Sequence, residues 1–182
     1  MAPNAEGSDA RSSVPPTLHA PRPAEGAGAD EPTLLRAWLT FQRESVIYKL
    51  EGLDDEQLRW RPASSANSLG GIATHLAYGE RFWFRAVFAG EPLDLSFTDD
   101  RFAMTFDVPD GASAAEVIAF YRAESRAADA AIDVATSLDQ RSVGELRPTT
   151  LRWVLAHEIE ETARHAGHMD ITRELIDGLV GR

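Results

Sequence analysis

Cysteine is absent from this 182-residue chain. That excludes a disulfide framework, a thiolate nucleophile and a cysteine-ligated zinc finger, so any sulfur chemistry must bring its sulfur on a substrate or cofactor. Basic residues are scarce: 18 Lys and Arg stand against 29 Asp and Glu, for a formal net charge of -11. A nucleic acid or an anionic membrane surface needs a positive patch, so neither is expected as a partner. No run approaches the roughly 20 apolar residues of a membrane span. The N-terminus lacks the charged-then-apolar pattern of a secretory signal, which makes the cytoplasm the expected location. A Gly-rich phosphate loop, a serine-nucleophile motif and a credible long strand are also missing. Asp99-Asp100 has no partner motif that would point to glycoside hydrolysis.

What is present suits one domain with a real core: 43% of residues are hydrophobic and 26% charged. Residues 1 to 30 are rich in Ala, Pro, Gly and Ser, cannot bury enough surface to offset their ordering entropy, and read as a disordered tail. His19 lies in it. From Glu31 onward the pattern turns helical, giving a domain over 31–182. Pro32 suits a first turn, and Leu35, Trp38, Leu39, Gln42, Val46 and Leu50 recur at helical spacing until Gly52. One helical turn is expected near Asp54–Leu58. Ser68 caps a second long helix through Ile72, His75, Leu76, Phe82, Trp83 and Val87 to Gly90. Ser113-Ala114-Ala115-Glu116 has capping-box spacing and opens a third, with Val117, Phe120, Tyr121, Glu124, Ala128 and Ile132. Thr149 or Thr150 starts the last, which Gly178 ends. These four helices predict an all-α four-helix bundle with a long loop between the second and third. Loops this long are functional or lid-like, and Phe97, Phe102, Met104 and Phe106 give it apolar residues that can fold over a pocket.

The last helix gathers three of the chain's five histidines. At about 100° per residue, Glu161, His165 and His168 fall roughly 40°, 80° and 20° around from His157, on one stripe. Val154, Ile171, Leu175 and Leu179 share that stripe, so it reads as a core-facing surface interrupted by polar groups, which need partners there. Imidazole and carboxylate one turn apart are metal-ligand spacing. His157 and His165 lie roughly 12 Å apart along the axis and cannot share an ion. Glu161 with His165 is the preferred pair, His157 with Glu161 the second choice. His75, on the inward side of the second helix, supplies the ligand from a neighbouring element, and His168 is a fourth ligand or an outer-shell contact. Three protein ligands leave an open position, as in a catalytic rather than a structural zinc site. Imidazole and carboxylate suit zinc, nickel and iron(II), with zinc the first expectation.

Three stretches in order resemble the DinB-like superfamily, which includes YfiT-like proteins. They are Glu51-Gly52-Leu53-Asp54-Asp55-Glu56-Gln57-Leu58, then Ser68-Leu69-Gly70-Gly71-Ile72-Ala73-Thr74-His75-Leu76, and Leu151-Arg152-Trp153-Val154-Leu155-Ala156-His157 running into Glu161-Thr162-Ala163-Arg164-His165-Ala166-Gly167-His168-Met169-Asp170. The resemblance spans about Glu31 to Asp177. It implies a four-helix metalloenzyme taking one ligand from its second helix and an i, i+4 pair from its fourth, here His75, Glu161 and His165. Many relatives carry histidine where this chain has Glu161; the glutamate resembles mycothiol-dependent maleylpyruvate isomerase. The resemblance further implies a low-molecular-weight thiol of the mycothiol type as cofactor, a small electrophile as substrate, and S-transferase chemistry. Homodimers are common among such proteins.

A non-catalytic metal-binding or stress-response module and a metal-assisted hydrolase or isomerase use the same residues and stay open. Arg61, Arg81 and Arg85 are candidates for a substrate carboxylate, though paired or solvated arginine is commoner. Trp38, Trp60, Trp83 and Trp153 read as core rather than a stacking platform. Tyr78 and Tyr121 read as structural hydrogen bonders. Asp170 is placed either in a surface pair with Arg173 or behind an imidazole.

Overall fold

The computed structural model describes residues 22–23, 28–62, 65–92, 105–143, 145 and 147–181. Almost all of the expected tail, and Phe97, Phe102 and Met104 of the long loop, lie outside the described residues. The protein is an all-α bundle. Its elements are α1 (Glu31–Tyr48), α2 (Asp55–Arg59), α3 (Leu69–Glu80), α4 (Ala114–Asp133) and α5 (Leu151–Asp177), with α3 running directly into a π-helical segment, Arg81–Phe88. Among the described residues the only bridge outside helices joins Arg141 to Thr150, and no helix is long and apolar enough to cross a membrane.

The helix starts follow from their caps. Asp30 accepts a hydrogen bond from the Thr33 N–H, with Pro32 in the first turn where a missing N–H costs nothing. Asp54 with Gln57, and Ser113 with Glu116, form reciprocal capping boxes. Ser68 and Thr150 cap α3 and α5. Gly178 takes the left-handed conformation, φ 80°, that closes α5. The second long helix differs from its expected form. Beyond Glu80 the turns widen, and the Ala89 N–H reaches the Phe84 carbonyl five residues back at 3.0 Å.

α1 packs along α5 and α3 along α4, while α3 and its π-helical continuation close against α5. Two apolar clusters fill the interior. One holds Val46, Leu50, Leu58, Ile72, Leu76, Tyr121 and Met169; the other holds Leu39, Trp83, Phe84, Phe88, Ile132, Val154 and Leu155. Between them every long helix contributes polar side chains: Arg43 from α1, Glu80 from α3, Glu124 from α4, Glu158 and Thr162 from α5, all buried. The Arg43 guanidinium donates to both Glu80 oxygens at 2.6 Å and to Asp129 Oδ1 at 2.8 Å. Such a pair is costly to desolvate and more costly to break, because one partner alone leaves an uncompensated buried charge.

The stripe that the spacing placed toward the core is only partly so. Val154 is buried, but Ile171 is 64% and Leu175 52% exposed. The inward line of α5 runs one position over, through Leu151, Leu155, Glu158, Thr162, Ala166, Met169 and Ile176. The histidines and Glu161 flank it. Asp170 pairs with Lys49 at 2.9 Å, and Arg173 with Asp177 at 2.8 Å rather than with Asp170.

Replacing Arg43 with Met is expected to cost about 3–5 kcal/mol of unfolding free energy, read from denaturant titration. The double variant Arg43→Met, Glu80→Leu should recover a large part of that loss; an equal or larger deficit would show that the pair is not what holds this layer.

Candidate metal centre

α3 places His75 at its middle, and α5 places Glu161 and His165 one turn apart on the facing flank. Their tips converge. His165 Nε2 lies 3.0 Å and His75 Nε2 3.5 Å from the same oxygen, Glu161 Oε1. One ligand atom from each of the three falls within 4.8 Å of the other two, which makes them a candidate metal-binding group. The two imidazole rings sit edge to face with centroids 5.2 Å apart.

The surroundings prepare each donor. His75 Nδ1 is 2.8 Å from the Thr105 hydroxyl, and Phe106 stacks on the ring with centroids 3.9 Å apart. With Nδ1 engaged, Nε2 is the atom turned to the shared position. This close approach depends on Gly71, because a Cβ there would overlap the Phe106 carbonyl oxygen. Arg164 holds Glu161 Oε2, leaving Oε1 to the two imidazoles. Burial lowers the His75 pKa, partly opposed by its bond to Glu161, and so favours the neutral ring a metal needs. Hydrogen bonds from His165, His75 and Arg164 hold the Glu161 carboxyl far below the usual carboxylate range, so it is ionised. A neutral imidazole and an ionised carboxylate are the protonation states that hold a divalent cation, and the donor set fits one.

His157 and His168 stand outside this trio. His157 lies against two tryptophans, stacked on Trp153 at 4.9 Å and edge-on to Trp83 at 4.7 Å. His168 Nε2 is 3.2 Å from the Ser65 hydroxyl. The expected tryptophan core holds for Trp83, but Trp153 is 48% exposed and forms an outer aromatic face with His157. Arg81 and Arg85 both bond Glu124, Arg81 at 2.6 Å and Arg85 at 3.0 Å, while Arg61 pairs with Asp107.

Beside the trio opens a cleft of about 340 Å³, lined by His75, Leu76, Gly79, Phe82, Trp83, Arg147, His157, Glu158, Glu161 and Arg164. Its size is that of a small-molecule site. Three of these residues carry chemistry that the spacing argument passed over. Arg147 lies over the Phe82 and Trp83 rings at 5.9 and 5.6 Å. Arg164 holds the Glu161 carboxylate. Glu158 is 1% exposed, and neither of its carboxyl oxygens has a hydrogen-bond partner among the described residues. Burial, reinforced by the Glu80 charge, pushes its pKa well above the ordinary 4.5. Its signal in the sequence is position: Leu155, Glu158, Thr162 and Met169 follow one helical face.

Two outcomes follow from this geometry. Thr105→Val should weaken zinc binding about 10–100-fold, as loss of an outer-shell partner does, measured by chelator competition. Glu158 binds its proton more tightly folded than unfolded, so its penalty on stability is absent below pH 4.5 and grows as the pH rises toward its folded pKa. Glu158→Gln removes that penalty. The melting temperature of the variant, relative to the parent, should climb between pH 4.5 and 8 with metal removed; a constant offset would contradict the assignment.

No curated protein matches the chain. A family model described as mycothiol-S-transferase matches residues 34–178, from the first turn of α1 to the cap of α5, and so takes in all three convergent side chains. The chain belongs to the mycothiol-S-transferase family.

Proposed function

We propose that this protein is a metal-dependent enzyme that transfers a low-molecular-weight thiol of the mycothiol type to small electrophiles. The observation that carries the reading is the convergence of His75 Nε2, Glu161 Oε1 and His165 Nε2 beside a small-molecule cleft, in a chain with no cysteine of its own. Membership of the family supports it. His75, Glu161 and His165 hold the cation; zinc is the first choice, with nickel and iron(II) compatible with the same donors. Bound there, a divalent cation supplies the Lewis acidity that favours the ionised form of a thiol at neutral pH.

The chain's own residues do the remainder. Thr105 and Phe106 fix the His75 ring, and Arg164 fixes the Glu161 carboxylate. Phe82, Trp83 and His157 give the cleft an aromatic wall suited to an apolar substrate body. With three protein ligands, the site would leave a bound cation accessible to a thiol. The same geometry admits metal-assisted hydrolysis or isomerisation, which consume no thiol.

The test pairs metal analysis with thiol consumption. Wild-type protein is expected to retain zinc after dialysis and to consume mycothiol in the presence of electrophiles, while His165→Ala loses both metal and activity. Equal metal content in the two proteins would remove the site. Metal retention with no consumption across several thiols would remove the transferase assignment and leave a binding module.

A further inference from the structure

Glu158 has no part in holding the three donors together, yet it lines the same cleft. It sits one helical turn before Glu161 on α5, a rise of about 4.5 Å along the axis. Its carboxyl faces Gly79 across the interface with α3: a Cβ at Gly79 would lie 3.8 Å from both carboxyl oxygens. Gly79 has no side chain to stand between this buried carboxyl and the cleft that both residues line. Behind it are Tyr121 and Thr162, and deeper the Glu80 carboxylate, already taken by Arg43. A buried carboxyl with neither hydrogen-bond partner nor cation of its own among the described residues is destabilising. An apolar side chain of similar size would serve the packing better, so its presence beside a substrate-sized opening calls for a ligand.

We propose that Glu158 contacts the substrate, donating a hydrogen bond to the oxygen of an epoxide and passing it a proton as the ring opens. This rests on the thiol-transfer reading for its reaction, though not for the contact. As the thiol sulfur attacks one epoxide carbon, a C–S bond forms and the C–O bond to that carbon breaks. The electron pair stays on oxygen, and the Glu158 proton converts that oxygen to a hydroxyl. Glu158, left as carboxylate, regains from water the equivalent of the proton the thiol released on ionising. An aryl epoxide suits the opening, since Phe82, Trp83 and His157 offer aromatic surface to its ring. Electrophiles that expel a halide need no such proton and make no demand on Glu158.

The experiment uses full-length, zinc-loaded protein with styrene oxide as probe, and compares wild type with Glu158→Gln and Glu158→Leu. Infrared difference spectra recorded on adding styrene oxide without thiol should show a carboxylic-acid C=O band in the wild type that shifts on binding and is missing in both variants. With mycothiol present, kcat for styrene oxide should fall roughly 100-fold in both variants, the usual worth of a general acid. Conjugation of 1-chloro-2,4-dinitrobenzene, whose leaving group is chloride, should stay within about twofold of wild type. Zinc content should match in all three. A carboxylic-acid band indifferent to styrene oxide, or equal losses with both electrophiles, would overturn the proposal. A band that shifts in a protein consuming no thiol upholds the contact and overturns the transferase reading, and so the proton-transfer step. An unmoved band beside normal thiol transfer does the reverse.

Discussion

The ion pair of Arg43 with Glu80 is the constraint on which the bundle's geometry rests. It spans α1 and α3 at mid-height, is almost wholly buried, and uses both oxygens of the carboxylate in a fork that tolerates little rotation. Apolar packing above and below is less demanding, because hydrophobic side chains of similar volume can repack. The charged layer cannot slide without stranding a guanidinium or a carboxylate. It therefore fixes the rotation of α3 about its own axis, and that rotation points His75, five residues before Glu80, toward α5.

A second set of contacts refines the aim. The chain between α3 and α4 returns across the start of α3 at Gly70 and Gly71, where a Cβ would meet Val108 and Leu58 side chains or the Phe106 backbone. That return sets Thr105 against one nitrogen of His75 and Phe106 against its face. From the other side, Arg164 occupies one oxygen of Glu161 and so selects which oxygen meets the imidazoles. The centre is held by neighbours that do not belong to it, as precise polar sites generally are.

Much of this was legible in the residues themselves. Caps at Ser68, Ser113 and Thr150 begin their helices because an exposed N–H needs an acceptor wherever the helix lies. The i, i+4 relation of Glu161 and His165 survives folding because it is internal to one helix. His75 was placed on the inward side because apolar residues surround it in sequence, and the fold carries it to the facing helix. Less legible was anything that depends on how helices meet. The polar stripe of α5 looked core-facing because Val154, Ile171, Leu175 and Leu179 share it. Ile171 and Leu175 are exposed, and the true inward line carries Glu158 and Thr162 instead. A glutamate among leucines reads as solvated unless one knows which flank packs inward. Trp153 reads as core because aromatics fill cores at such spacings, yet it is 48% exposed and stacks on His157. Arg147 lies outside any helix, so no periodicity could place it over Phe82 and Trp83.

The widened turns after Glu80 were invisible to a periodicity argument, since Trp83, Phe84, Val87 and Phe88 fit an ordinary helix equally well. They carry a consequence for how this chain tolerates changes of length. A π-helical turn accommodates an extra residue relative to α-helical winding, so shortening the Arg81–Phe88 stretch by one lets it tighten. Tightening takes up the missing residue, so the chain beyond the stretch keeps its bearing while the side chains inside it turn. Trp83 and Phe84 would leave the places they hold, while His75, upstream, keeps its bearing. Natural relatives that differ by a single-residue gap in this stretch should therefore share the donor trio yet present a differently walled chamber beside it.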